Sequence, residues 1–478
     1  MLPVVARTIF RLQERLARRR TFAVLEELEA SQFWPREELD AVRLDRARRL
    51  VAGAYQLTIY WREVMSRAGI RPEDIRRLDD LRRFPLLDRA TIRARRADMA
   101  VGIERRGMRL VGAGGPGDGR IQFYTDAARE EAVAAARIRG HQWAGVAVGE
   151  REAHFWPWSA DLTRRERLVA TMVNHLPTDA AELSGETAAA IVARWEHWRP
   201  RCLVGYPPCF VLLVQMANRA GVDLRALGGR GLAAICTSGE VLAAEERKTI
   251  GEAFAAPVYG SYALREGGLI GHECEHLTMH TTDEQLILET IDPKTLQPTE
   301  GAGELVLTNL DSTVMPLIRY RTGQVVRLGG GHCACGRSLG RVAVSGGRVV
   351  DFVVTRDGKW MAGEAFWHVC RQVGVAGIAK LQVRQERKGE IRLLLATDGQ
   401  FPPDGRELIA RAVRARLDSG DRVRVDLVDD IPADGSGEYC PVVSKVCQRI
   451  RKEAALSGPA GKEAEASPNS ARRKDSDD

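Results

Sequence analysis

The pattern of apolar and polar residues changes twice along the chain, and its first part is helical. Apolar side chains at Leu44, Ala47, Val51 and Tyr55 follow one another at intervals of three or four residues. That spacing places them on one face of an α-helix, with the intervening charged residues on the other face. The pattern therefore predicts a mostly helical N-terminal region over residues 1–110.

Between residues 150 and 260 the apolar positions form short continuous runs separated by helical segments. The run Cys202–Gly205 ends at a Tyr-Pro turn, and Leu232–Thr237 stops at Ser-Gly-Glu. A helical pattern follows over Ala243–Phe254, and the short run Pro257–Tyr259 comes after it. Buried strands that alternate with helices of this length are typical of an α/β layer with a largely parallel sheet.

The pattern changes again after residue 351. Apolar and polar residues alternate in Leu381–Glu386, a charged turn follows, and Ile391–Ala396 returns as a second strand, which together predict a β-hairpin. Arg406–Leu417 has the pattern of an amphipathic helix, and Val423–Val428 that of a further strand. We expect these elements to form a small α+β domain.

These changes of pattern predict the division of the chain into domains. A chain of 478 residues is too long for one ordinary hydrophobic core. We expect an α/β large domain over residues 1–350 and a small α+β domain over residues 351–450. Residues 451–478 contain almost no large apolar side chain, which predicts a disordered tail.

Composition limits the class of protein. A net charge of +7 is modest for 478 residues, and no basic cluster indicates a nucleic-acid partner. No stretch of eighteen uncharged apolar residues is present, so we expect no membrane span. Most of the nine cysteines stand singly in apolar segments, which is typical of the reducing cytoplasm.

Four residues form a candidate metal site. Cys333 and Cys335 stand one residue apart in a polar, glycine-rich segment, and Cys274 and His280 lie about sixty residues upstream. A Cys₃His set satisfies tetrahedral zinc and leaves no position for a substrate, so such a site is structural. The alternative is that the cysteines are core residues and the histidine a surface residue. Other candidates for the fourth ligand are His272, His276 and His332.

An ordered series of motifs carries a family resemblance. The chain resembles the phenylacetate–coenzyme A ligase branch of the adenylate-forming enzymes, and in particular the members of that branch found near capsular polysaccharide genes. The motifs are Phe84-Pro-Leu-Leu-Asp-Arg, Tyr259-Gly-Ser with Glu266, Glu289-Thr-Ile-Asp-Pro, Gly303-Glu-Leu-Val-Leu-Thr, Pro316-Leu-Ile-Arg-Tyr-Arg-Thr-Gly, Cys333-Ala-Cys-Gly-Arg and Gly347-Arg-Val-Val-Asp.

The resemblance implies an activity and its ligands. Enzymes of this kind activate a small-molecule carboxylic acid with ATP, forming an acyl-adenylate and pyrophosphate. A second nucleophile, often the thiol of coenzyme A, then displaces AMP. The implied fold is a large domain with layered sheets and helices, followed after a hinge by a small mobile domain. The acid, the acceptor and the oligomeric state are left open.

The resemblance also implies roles for individual residues. Glu266 would hold Mg²⁺, Arg348 would reach a phosphate or the ribose, and Asp351 would be the hinge between the domains. The adenine and the α-phosphate would be framed by Ser238, Gly239, Glu240, Tyr259, Gly260 and Ser261.

Three positions depart from the pattern of that family. The phosphate loop is glycine-rich here, so backbone N–H groups at Gly114 and Gly117 and the cation of Arg120 would bind phosphate, without a Ser or Thr hydroxyl. Gln324 replaces the aspartate that accepts hydrogen bonds from the ribose hydroxyls. Glu438 replaces the catalytic lysine that follows Ser-Gly.

Two interpretations follow from these departures. The first is a working ligase in which another cation, Arg120 or Arg348, replaces the lysine. The second is a catalytically impaired relative that serves as a nucleotide-binding or scaffold partner. A variant of the first performs only the transfer half-reaction, which in the family does not need the lysine.

Overall fold

The computed structural model describes most of the chain. Gly114, Gly117, Arg120, Asp351 and Glu438 lie outside the described residues, and so does the side chain of Arg348. The described residues are 1–102, 106–113, 121–156, 162–180, 185–348, 352–357, 360–362, 366, 369–370, 372–397, 400–417, 420–431, 442–446 and 449.

The N-terminal region is helical, as the apolar spacing predicts. Thr58 and Asp88 cap two of its helices, because their side-chain oxygens accept hydrogen bonds from the backbone of the first turn. Trp61 is fully buried, and its Nε1–H donates to the Pro316 carbonyl at 2.9 Å, which joins this region to the sheet. The helices are α1 (Pro3–Leu16), α2 (Thr21–Ser31), α3 (Arg36–Leu57), α4 (Ile59–Ala68) and α5 (Arg89–Met99).

An 11-stranded sheet forms the centre of the protein. Its strands are ordered β10-β11-β12-β13-β9-β8-β7-β6-β5-β3-β4. The strands from β4 to β7 pair in parallel, and the remaining pairs are antiparallel. The strands are β3 (Glu152–Trp156), β4 (His175–Asp179), β5 (Cys202–Gly205), β6 (Ala234–Thr237), β7 (Val258–Leu264), β8 (Gly268–Glu273), β9 (Met279–Thr281), β10 (Leu286–Ile291), β11 (Ala302–Asn309), β12 (Leu317–Gly329) and β13 (Arg341–Arg348).

Helices connect the parallel strands and build one of the main cores. Phe155 on β3 packs against Trp195 and Phe210, with ring centroids 5.4 Å apart in each pair. All three side chains are fully buried. The helices of this part are α6 (Ala127–Trp143), α7 (Arg164–Met172), α8 (Gly185–Trp198), α9 (Pro207–Ala220), α10 (Arg225–Gly229) and α11 (Ala244–Phe254).

Two strands pair antiparallel on either side of the glycine-rich segment. They are β1 (Arg109–Ala113) and β2 (Ile121–Thr125). Ile121 and Phe123 of β2 are buried in the large core that also holds Trp61. The pairing brings both ends of the glycine-rich segment to one place.

The C-terminal elements include the predicted hairpin, helix and strand. A 4-stranded sheet has the order β18-β17-β16-β19, and a separate pair is formed by β14 and β15. Val383, Leu393 and Ile409 are fully buried between this sheet and its helix. The elements are β14 (Phe352–Val354), β15 (Trp360–Ala362), β16 (Ile378–Gln385), β17 (Glu390–Thr397), α12 (Gly405–Leu417), β18 (Arg422–Val428) and β19 (Val442–Ser444).

The fold class is therefore the predicted one. It is a mixed α/β architecture around a large sheet, followed along the chain by a smaller sheet with its helix. The parallel arrangement holds for the strands between residues 152 and 264, where helices alternate with strands. Among the described residues, no helix combines the length and the apolar character that a bilayer span requires.

Candidate functional site

A cleft of about 450 Å³ opens beside the point where the sheet changes from parallel to antiparallel. Strand β7 pairs in parallel with β6 on one side and antiparallel with β8 on the other. Glu240, Gly260 and Ser261 line the cleft, together with residues of β12 and β13. Residues predicted separately from two motifs therefore meet at one cleft, where a change in strand direction leaves a crevice.

The loop after β6 is held by an aromatic side chain. Gly239 has a φ of 93°, and a Cβ there would lie 2.9 Å from the Tyr206 ring. The Tyr206 hydroxyl donates to Glu240 Oε1 at 2.6 Å, and the Ser238 backbone N–H donates to the Gly205 carbonyl at 3.0 Å. Glycine is therefore needed at position 239 for both its backbone conformation and the approach of the tyrosine.

Glu273 and Arg247 organise the floor of the cleft, and the sequence motifs did not predict them. The guanidinium of Arg247 donates two hydrogen bonds to the Glu273 carboxylate, at 2.9 and 2.7 Å. The same carboxylate accepts a hydrogen bond from the Gly260 backbone N–H at 2.5 Å. Ser261 Oγ donates to the Thr237 carbonyl at 2.9 Å. The chemistry of the floor thus depends on residues that the fold brings together from helix α11 and the strands β7 and β8.

Tyr259 lies apart from the cleft lining. Its side chain is 9% exposed and packs in a small apolar cluster with Val204, Cys236 and, at the edge, Trp156. Burial raises the pKa of Tyr259, with smaller contributions from neighbouring thiols and carboxylates. In this arrangement the ring packs within the apolar cluster, and the role of Tyr259 in framing the adenine and the α-phosphate stays a prediction.

Glu266, the predicted Mg²⁺ ligand, is a buried member of an ion pair. Its Oε1 accepts hydrogen bonds from Arg89 at 3.0 Å and from the Tyr320 hydroxyl at 2.9 Å. The side chain of Glu266 is 2% exposed and that of Arg89 8% exposed. Burial raises the pKa of Tyr320 well above its usual range, and the Glu266 charge adds to this effect. The carboxylate thus joins α5 to the sheet, and its role toward Mg²⁺ stays a prediction.

Gln324 lies on β12 next to a second buried ion pair. Its backbone N–H donates to Thr322 Oγ1 at 3.1 Å, and its side chain is largely buried. Arg321 is bound by the fully buried Glu304, at 2.6 Å for the shortest contact. Glu304 also accepts from the Gly323 backbone N–H at 3.1 Å. These contacts determine the backbone path at the position where the resemblance places ribose binding.

The four predicted zinc ligands come together. The ligand atoms of Cys274, His280, Cys333 and Cys335 all lie within 4.8 Å of one another. Cys274 Sγ is 3.8 Å from Cys333 Sγ, and Cys335 Sγ is 3.2 Å from His280 Nε2. Neither His276 nor His332 belongs to this group, and His272 belongs to a different one.

The surroundings of this cluster suit a metal. Nδ1 of His280 lies 3.3 Å from the Leu339 carbonyl, which leaves Nε2 facing the three thiols. A histidine that binds a metal through one ring nitrogen commonly donates the N–H of the other to a carbonyl or carboxylate oxygen. Burial raises the pKa of the Cys333 thiol, but hydrogen bonds from the Cys335 backbone, Thr278 and His280 outweigh it and bring the pKa to about 6. Burial raises the pKa of the neighbouring Cys274 thiol to about 11. Of these two thiols Cys333 therefore ionises more readily, and the thiolate is the form that zinc binds.

Comparison with curated proteins identifies similar ligases. Phenylacetate-coenzyme A ligase of Thermus thermophilus is 27% identical over 343 residues, covering 67% of this chain and 73% of that protein. Phenylacetate-coenzyme A ligase of Escherichia coli is 25% identical over 346 residues, covering 67% of this chain and 73% of that protein. No family model matches the chain.

Comparison with solved structures confirms the fold. A 2-hydroxyisobutyryl-CoA ligase in the postadenylation state, in complex with R3-HIB-AMP, has a TM-score of 0.68 at 20% identity, covering 89% of this chain and 94% of that one. The same ligase in an open conformation with 2-HIB-AMP and CoA has a TM-score of 0.57 at 19% identity, covering 87% and 93%. Together with the curated relatives, these similarities confirm the resemblance to the phenylacetate–coenzyme A ligase branch of the adenylate-forming enzymes.

Proposed function

We propose that the protein is an adenylate-forming ligase that activates a carboxylic acid with ATP and transfers the acyl group to coenzyme A or another nucleophile. The observation that carries the proposal is the convergence of two family motifs, around Glu240 and around Gly260–Ser261, on one cleft. The relatives named above are coenzyme A ligases, and one similar structure holds an acyl-adenylate. The experiment is pyrophosphate release by the full-length protein across aryl, fatty and amino acids.

The described contacts suggest how the chain's own residues serve this reaction. Glu273 and Arg247 hold the Gly260 backbone in place, so that a nucleotide can approach the strand closely. Glu240 is kept in one orientation by Tyr206. Mg²⁺ bound with ATP would neutralise phosphate charge, with Glu266 as its proposed protein ligand. The small domain over residues 351–450, with a hinge at Asp351, would close over the cleft.

A second candidate function is that of an impaired relative which binds nucleotide or a protein partner. Gln324 and Glu438 favour it, since each replaces a group that is charged in the family pattern. Loss of one electrostatic stabiliser lowers the rate by roughly 10²–10³. Pyrophosphate release by the wild-type protein with any of the acids would exclude this alternative.

Restoring the carboxylate at position 324 is expected to tighten nucleotide binding. A hydrogen bond to a charged acceptor contributes about 1.5–3 kcal/mol against about 1 kcal/mol for a neutral one. We therefore expect Gln324→Asp to bind AMP roughly 2-fold to 30-fold more tightly in a calorimetric titration. Gln324→Asn, which is equally short but neutral, is the control. A gain that persists with 2′,3′-dideoxy-AMP would contradict the proposed contact with the ribose.

We further propose that Cys274, His280, Cys333 and Cys335 bind a structural zinc ion that joins β8 and β9 to the loop before β13. Support comes from the convergence of the four ligand atoms and from the His280 contact to Leu339. Cys333→Ser is expected to lower the zinc content by about one ion per chain and to lower the melting temperature, because a structural metal contributes to folding. Cys370→Ala, at a buried thiol outside the cluster, is the control. Unchanged zinc content and stability would contradict the proposal.

A further inference from the structure

A second group of metal-binding side chains lies deeper in the protein. It consists of His141 on α6, Cys236 on β6 and His272 on β8, whose ligand atoms lie within 4.8 Å of one another. The three side chains are 5%, 2% and 2% exposed. No sequence motif predicted this group, because its members are far apart in the chain and stand in different elements.

Both histidines present the same ring nitrogen to the group. His141 Nδ1 lies 3.2 Å from Glu152 Oε1, and His272 Nδ1 lies 2.8 Å from the Glu273 carbonyl. Each Nδ1–H therefore donates to an oxygen, which leaves the Nε2 lone pair facing Cys236. Carboxylate or carbonyl contacts of this kind orient histidines that bind metals.

The Nε2 atom of His272 is buried and has no hydrogen-bond partner among the described residues. An unsatisfied buried polar atom of this kind costs about 1–3 kcal/mol. The Cys236 thiol is the neighbour that interacts with His272, and a metal ion bound by both side chains would satisfy the imidazole nitrogen. This atom is the observation that points to a ligand.

Gly140 on α6 leaves room for the His272 ring. A Cβ at Gly140 would lie 2.4 Å from that ring, so only glycine allows this approach. Glycine inside a helix is less stable than alanine by roughly 0.5–1 kcal/mol. The glycine therefore makes room for the His272 ring at a cost to the stability of α6.

A candidate for the fourth ligand stands on the neighbouring strand. Cys202 on β5 is fully buried, and its thiol lies within hydrogen-bonding reach of the Cys236 thiol. The strands β5 and β6 are parallel, with Val204 opposite Cys236, so Cys202 and Cys236 stand on the same face of the sheet. The Cys202 thiol is not among the ligand atoms that lie within 4.8 Å of one another, so it would have to turn toward the group to complete a tetrahedral set of two thiols and two imidazoles for structural zinc.

We propose that His141, Cys236 and His272, with Cys202 as the fourth ligand, bind a second structural zinc ion. The ion would join α6, the parallel strands β5 and β6, and the antiparallel strand β8. It would lie close to the first cluster, since the Trp143 ring is 6.2 Å from the His272 ring and 6.0 Å from the His280 ring, and these two histidines are register partners on β8 and β9. This site does not depend on the proposed ligase activity.

The first test uses the wild-type, full-length protein purified with zinc in the medium. Metal analysis is expected to find about two zinc ions per chain, one for each four-ligand site. X-ray absorption at the zinc edge is expected to give an average of about 2.5 sulfur and about 1.5 nitrogen ligands per ion. About one ion per chain with three sulfurs and one nitrogen would overturn the proposal.

The second test uses variants. His272→Asn keeps a side-chain donor near the Glu273 carbonyl but removes Nε2, and it is expected to lose about one zinc ion per chain while the Cys₃His signature remains. Combined with Cys333→Ser, it is expected to leave almost no zinc. Cys209→Ala, at a buried thiol outside both clusters, is the control. Zinc content that His272→Asn leaves unchanged, or a Cys202–Cys236 disulfide found in the wild-type protein by mass spectrometry, would overturn the proposal.

Discussion

Pyrophosphate release is expected to be roughly 10²–10³ faster in Glu438→Lys than in the wild-type protein, measured with an acid that the protein accepts. Glu438 follows Ser436-Gly437, where the resemblance places a lysine that contacts the α-phosphate and the carboxylate during adenylation. A carboxylate there would repel the phosphates, whereas an ammonium group would stabilise the negative charge that develops in the transition state. The measurement is initial rate at saturating ATP.

Two controls separate the effect of the lysine from that of net charge. Glu438→Gln removes the negative charge without adding a cation, and we expect a smaller increase than for the lysine variant. Glu407→Lys changes an exposed glutamate of α12 by the same two units of charge, and we expect no effect on the rate. Wild-type activity that Glu438→Lys leaves unchanged would contradict the prediction and would favour another cation, Arg120 or Arg348. Absence of activity in all variants would favour a scaffold role.

Glu266→Gln is expected to lower the free energy of unfolding by about 3–5 kcal/mol. Glutamine keeps the size of the side chain but removes the negative charge with which the buried Arg89 guanidinium pairs at 3.0 Å. Loss of an opposite charge beside a buried cation is costly, because the protein interior does not replace the water that solvated it. Urea unfolding of the full-length protein measures the change, provided that the slope of the unfolding free energy against urea concentration is the same in variant and wild type.

The double variant Glu266→Gln/Arg89→Met provides the matched comparison. It removes both charges, so we expect it to recover much of the lost stability, as replacement of a whole buried ion pair often does. The pair Asp45 and Arg49 is the exposed control, with side chains 59% and 67% exposed, and its loss is expected to change stability by less than about 0.5 kcal/mol. Equal effects at the buried and exposed pairs would contradict the interpretation of Glu266 as an anchor.

The same variants test the proposed role of Glu266 toward Mg²⁺. If Glu266 binds Mg²⁺, the double variant regains stability but stays slow in pyrophosphate release and requires more Mg²⁺ for half-maximal rate. If the carboxylate acts only as an anchor, the double variant recovers rate together with stability. The two readouts therefore distinguish ligand from anchor.

The sequence alone predicted much of the architecture, because the signals for it are local. Helical spacing between Leu44 and Tyr55 predicted the helix now seen as α3, and alternation in Leu381–Glu386 predicted the first strand of the hairpin. The buried run ending at Thr237 corresponds to β6. In each case the residue pattern and the element it forms lie within the same few residues, so no knowledge of the fold was needed.

The sequence also predicted candidate site residues where they stand close together in the chain. Cys333 and Cys335 stand one residue apart in a polar loop, and Cys274 and His280 form a second short group, so a Cys₃His set could be proposed before the four were seen together. The resemblance placed Glu240 and Gly260 at a nucleotide site, and both line the cleft.

Only the tertiary structure decided which charged side chains form ion pairs and which buried side chains pack together. Arg89 reaches Glu266 across 177 positions of sequence, and Arg247 of α11 binds Glu273 of β8 across 26 positions, where the helix and the strand meet in the fold. The burial of Tyr259 and the meeting of His141 with Cys236 also depend on strand order. Such contacts leave no local pattern, because a side chain's distant neighbours are determined by the packing of elements and not by the residues beside it in the chain.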